Sequence, residues 1–99
     1  MTDEIALTKD AERGLNAERL LGNELLAEAF AALESDYIAA WKATAARDSD
    51  GRERLWQALQ IVGLVKSHLA AVVSSGRLAQ RELDNIARLG ERRRVFGVL

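Results

Sequence analysis

The chain contains no cysteine and no proline. Without cysteine there are no disulfides and no thiolate metal ligands. Without proline, nothing in the sequence forbids a helix at any interior position. Histidine occurs once, at His68, so a histidine-based metal centre lacks ligands. Apolar runs are short: none approaches the roughly 18 uninterrupted residues of a membrane span. The acidic start, MTDEIALTKDAERG, has no signal-like apolar run. These absences point to a cytosolic protein with no membrane contact.

What is present favours helix. Alanine, leucine, arginine and glutamate dominate, and all four are good helix formers. Hydrophobic residues make up 48% and charged residues 29%, which suits a soluble fold and argues against wholesale disorder. Ninety-nine residues make one domain, 1–99, of limited core. Within it, residues 1–20 are expected to be flexible and 95–99 to form an apolar C-terminal tail. Net charge is −1 but unevenly spread. Residues 1–36 hold nine acids against three bases, and residues 77–99 hold six arginines against three acids. Such asymmetry can orient contacts between chain ends or between molecules.

The most informative stretch is 48–73, DSDGRERLWQALQIVGLVKSHLAAVV. Asp50 and Glu53 have the spacing of a capping box. Leu55, Ala58, Val62, Val65, Leu69 and Val72 then recur at steps of three and four, a helical core seam. Trp56, Leu59, Ile61 and Leu64 widen the apolar face past a single stripe, so this helix is expected to pack on more than one side. A preceding helix, from Thr2 or Thr8 to about Ala46, carries a seam of Leu26, Phe30, Leu33, Tyr37, Ala40 and Thr44, with Trp41 beside it. Gly14, Asn16, Gly22 and Asn23 predict a break within 14–23. Ser74-Ser75-Gly76 is expected to end the second helix, with Gly76 left-handed. A third helix would then run from Arg77 to about Arg94, with Leu78, Leu83, Ile86 and Leu89 inward and Gly90 thinning it.

No catalytic, cofactor or metal site emerges. His68 has no recognisable nucleophile near it in sequence, and a helix-end histidine facing the negative pole of the dipole is the better explanation. Glu24 and Glu28 share a helix face four residues apart, and with Asp36 they read as a solvated surface. Gly-rich phosphate loops are absent. Arg88, Arg92, Arg93 and Arg94 form the one notable basic cluster, a candidate contact for nucleic acid or an acidic partner. The same arginines also complement a helix C-terminus with no ligand at all. Trp41, Trp56, Leu59, Ile61, Leu64 and Phe96 are the candidate partner or oligomer interface, since exposed tryptophan is a frequent interface anchor.

Three stretches carry a resemblance: Tyr37-Ile-Ala-Ala-Trp41-Lys-Ala-Thr, Arg47-Asp-Ser-Asp-Gly-Arg-Glu-Arg-Leu-Trp56, and Val65-Lys-Ser-His68-Leu. Residues 20–83 resemble small helical proteins encoded by tailed phages and prophages. The resemblance implies a viral source, the cytoplasm of a bacterial host or the virion as location, and a role in virion assembly, DNA packaging or interference with a host system. It implies no catalytic residues.

The expectation is an all-α protein, an antiparallel helical hairpin or three-helix bundle that self-associates. The expected function is non-enzymatic phage assembly or DNA packaging, of the small-terminase or head-associated kind, through oligomerisation and docking on a packaging or head protein. One alternative is an inhibitor or regulator of a host protein or nucleotide signal. Another is weak nucleic-acid binding through the C-terminal arginines.

Overall fold

The computed structural model describes residues 3–97, with side chains through Arg92. Within that range the chain is all-helical, with three helices and no strand: α1 (Glu4–Leu21), α2 (Glu24–Ala43) and α3 (Ser49–Gly97). The predicted break in the first half falls at Gly22–Asn23. Asn23 leaves the helical conformation (φ −76°, ψ 119°), and its side chain accepts a hydrogen bond from the Leu26 N–H at 2.9 Å, starting α2. Asp3 starts α1 in the same way, accepting from the N–H groups of Ile5 and Ala6. Both are N-caps that satisfy donors the first turn leaves free.

The start of α3 differs from the expectation. Asp48, not Asp50, is the cap: its carboxylate accepts from the Gly51 N–H at 3.0 Å, and its carbonyl accepts from the Arg52 N–H. Asp50 sits in the first turn of the helix, where its charge still suits the positive pole of the dipole. The Ser74-Ser75-Gly76 stop is also overturned, because α3 runs unbroken to Gly97. No described glycine has a positive φ, so Gly76 closes nothing. Gly90 likewise lies within the helix.

The reason for this continuity is a heptad pattern. Leu55, Val62, Leu69, Gly76 and Leu83 are spaced by seven, as are Ala58, Val65, Val72, Ala79 and Ile86. Of these ten residues only Val65 is exposed; the rest are buried or half-buried. A face that stays apolar through Gly76 has a neighbour to pack on, and packing outweighs the roughly 1 kcal/mol that a glycine costs a helix.

That neighbour is two helices. Forty-nine residues of α3 span about 73 Å at 1.5 Å per residue, and α1 and α2 lie along it, running opposite to it. On the α2 half, the Lys66 Nζ donates to Glu34 Oε1 at 3.1 Å, and the Arg52 guanidinium lies 4.2 Å from the Trp41 ring centroid. On the α1 half, the Arg77 guanidinium donates to Glu18 Oε1 at 3.0 Å. The helices α1 and α2 barely touch each other. The result is a rod measuring 80 × 27 × 15 Å.

The tightest packing is where α1 meets α3. Ala11, Gly14 and Ala17 face Val73, Gly76 and Ala79, and all six are buried. A Cβ on Gly14 would stand 2.7 Å from the Gly76 Cα, and one on Gly76 only 2.6 Å from the Gly14 Cα. The two backbones therefore touch because neither residue has a side chain. Among the described residues the buried apolar ones are Ala11, Ala17, Val62, Val73 and Ala79, and no large side chain is fully enclosed.

Candidate functional site

A rod one helix pair thick has two broad flanks, and the contacts between α2 and α3 tell them apart. Lys66, Glu34, Arg52 and Trp41 meet on one flank. At about 100° per residue, Val65 and Leu33 turn to the other. The candidate interface residues consequently do not form one patch. Trp41 and Trp56 line a groove of about 450 Å³ beside the α2–α3 turn, with Ala46, Ser49, Arg52 and Glu53. Leu59 lies half-buried on this same side of α3. Ile61 and Leu64 point toward the opposite flank. Phe96 lies outside the residues whose side chains are described.

The tryptophan flank is mixed in character. Trp56 is 52% exposed and Trp41 37%, while the Arg52 guanidinium covers one face of the Trp41 ring. Cation–π contact of this kind fixes both side chains and leaves the groove lined by one base, one acid and two indoles.

The opposite flank is largely apolar along the α2 half, although Arg54 and Gln57, one heptad before Ile61 and Leu64, share these faces of α3. Three residues expected in the core seam, Leu33, Ala40 and Val65, are exposed there, Leu33 at 43% and Val65 at 45%, because no third helix covers them. Ile61 at 60% and Leu64 at 66% continue the patch along α3. Helical spacing places Leu25, Ala29, Ala32, Asp36, Ala40 and Ala43 on the same flank of α2, all exposed. One carboxylate interrupts that row. Toward the α1 half the flank becomes polar, where Asp10, Arg13, His68 and Ser75 line a shallow groove with Ala71 and Val72.

The other sequence candidates stay dispersed. His68 is exposed in that polar groove. Glu24, Glu28 and Asp36 are exposed on α2. Among the described residues, no three histidine or carboxylate side chains converge as a metal would require. Arg88 donates to the Asn85 Oδ1 at 2.8 Å, one turn away on its own helix, and shares a surface groove with Glu82, Leu89 and Arg92. The acid within that groove dilutes its positive field. Arg93 and Arg94 lie outside the described side chains.

By length and composition α3 is also apolar enough to cross a membrane, and little of that stretch is buried within the chain. Gln57, Gln60, Lys66 and His68 interrupt it. Comparison with protein-family models, curated proteins and solved structures finds no match to this chain.

Proposed function

We propose that this chain is a non-enzymatic assembly component, a helical hairpin that self-associates and completes a bundle between copies. The observation that carries the reading is the near absence of a core. Among the described residues its buried apolar side chains are three alanines and two valines, while Leu33, Ile61, Leu64, Val65, Trp41 and Trp56 stand in solvent. Exposed apolar surface of this kind, here divided between two flanks, marks interaction sites. His68 shares an open groove with Asp10 and Arg13, and the described carboxylates are exposed apart from the half-buried Glu34, whose partner is Lys66.

The groove of Trp41, Arg52 and Trp56 is where we place a docking partner, as an indole pair with a fixed guanidinium offers both apolar area and charge. Phage assembly or DNA packaging is the setting that the resemblance of residues 20–83 offers for such a module. Its partner would then be a packaging or head protein. The test is the native mass in solution. Light scattering coupled to size exclusion, at micromolar to high micromolar concentration, is expected to return a multiple of the 10.9 kDa chain mass. A strictly monomeric species across that range refutes the proposal.

A further inference from the structure

Resting on that reading, we infer that the occupant of the Leu33–Ile61–Leu64–Val65 flank is the same flank of a second copy, forming a two-fold four-helix bundle from two α2–α3 halves. The first argument is area. The chain exposes 7973 Å², whereas a compact monomer of its mass is expected to expose about 5,600 Å². The excess, about 2,400 Å² spread over the whole rod, is enough to supply the roughly 1,000–2,500 Å² that each partner buries in an obligate dimer.

The second argument is continuity. On α3 the flank residues Ile61, Val65 and Val72 adjoin the positions that already pack on α1 and α2, so the exposed patch extends the intramolecular seam. Helices that are apolar on such an extended arc are those of bundles, with a neighbour on each side of the inner face.

The third argument is shape, and it selects a second copy over a foreign partner. Within one chain the flank has two unlike halves: α3 presents large side chains, Ile61, Leu64 and Val65, while along α2 a row of small ones, Ala29, Ala32, Ala40 and Ala43, runs past Asp36 and is bordered by Leu25 and Leu33. A two-fold axis parallel to the helices sets the large ridge of each copy on the small row of the other. Every pair of adjacent helices is then antiparallel, as in up-and-down bundles. A surface that carries both halves of its own complement is isologous by construction. The tryptophan groove stays outside this contact.

The absence of cysteine makes the test direct. In the proposed bundle Ala32 of one copy lies beside Leu64 of the other, so Ala32→Cys and Leu64→Cys chains mixed one to one should give an interchain disulfide under mild oxidation. Either variant oxidised alone should give at least tenfold less. In parallel, Ile61→Glu/Val65→Glu is expected to convert the assembly to monomer with helical circular dichroism retained, and Trp56→Glu is expected to leave the native mass unchanged. If the assembly survives Ile61→Glu/Val65→Glu but dissociates with Trp56→Glu, the inferred flank is wrong and the assembly reading stands. A wild-type chain that is monomeric at every concentration ends both. Flotation with phosphatidylcholine–phosphatidylglycerol vesicles, lost on Ile61→Glu/Val65→Glu and with no dimer in solution, would overturn the inference in favour of a lipid surface.

Discussion

Gly76→Ala and Gly63→Ala are the same chemical change in the same helix, and the structure gives them opposite signs. At position 63 an added Cβ meets nothing within 4 Å. Alanine there gains about 1 kcal/mol of helix preference and is expected to stabilise the protein by that amount. At position 76 the Cβ would stand 2.6 Å from the Gly14 Cα and 2.9 Å from the Asp10 carbonyl oxygen. Ordinary contact begins at 3.4 Å, so α1 and α3 must separate by about 0.8 Å. Both obstructing atoms are backbone and cannot rotate away. Overpacking of this kind costs about 1–3 kcal/mol, and a backbone clash belongs at the upper end. Less the propensity gain, Gly76→Ala should destabilise by about 2 kcal/mol. The two variants should therefore differ by about 3 kcal/mol, read as urea midpoints from far-ultraviolet circular dichroism at one fixed protein concentration. For a domain of this size, Gly76→Ala alone should lower Tm by about 10 °C. Gly14→Ala meets the same clash from the other side, and the double variant should cost less than the sum, because one separation of the helices relieves both. If Gly76→Ala stabilises as much as Gly63→Ala does, the backbone contact between α1 and α3 does not exist in solution.

Three further outcomes follow from the same geometry. Asp48→Ala should cost about 1 kcal/mol by removing the cap of α3, whereas Asp50→Ala should change stability by only a few tenths; equal losses in denaturant melts would restore Asp50 as the cap. A double-mutant cycle on Lys66 and Glu34 should return no more than about 1 kcal/mol, falling with added salt, since both side chains are more than a third exposed. Tryptophan fluorescence should be quenched by acrylamide equally well at low and high protein concentration, because Trp41 and Trp56 lie off the inferred dimer contact; protection that grows with concentration would place the contact on the tryptophan flank.

Helix type was readable from composition and spacing, because a chain without proline and rich in alanine, leucine and glutamate has few alternatives. The number three agrees only because the split of the first helix offsets the fusion of the expected second and third. The break at Gly22–Asn23 was readable too, since a glycine followed by a capping asparagine signals an end and a start together. What misled were the local signals within 48–97. Asp50 and Glu53 satisfy the capping pattern, yet Asp48 stands three residues before Gly51 and captures its N–H first. Ser74-Ser75-Gly76 reads as a stop only when taken alone. Counted in sevens from Leu55 and from Ala58, the two apolar series pass through Gly76 and Ala79 without a slip, and that longer pattern outweighs the local one.

The same counting explains why the interface candidates divided between two flanks. Width of an apolar face was legible: Trp56, Leu59, Ile61 and Leu64 all fall outside a single stripe. Direction was not, because a position on a helix acquires a side only once a neighbour is fixed. Lys66–Glu34 and Arg52–Trp41 supply that reference. With it, a row of alanines on α2 lies along one uncovered flank, and Leu33, Ala40 and Val65 move from the expected seam to the exterior. The missing signal was the pairing of small residues on one helix with large ones on its neighbour. It is invisible in either helix alone, and it gives the uncovered flank a shape that a second copy can match.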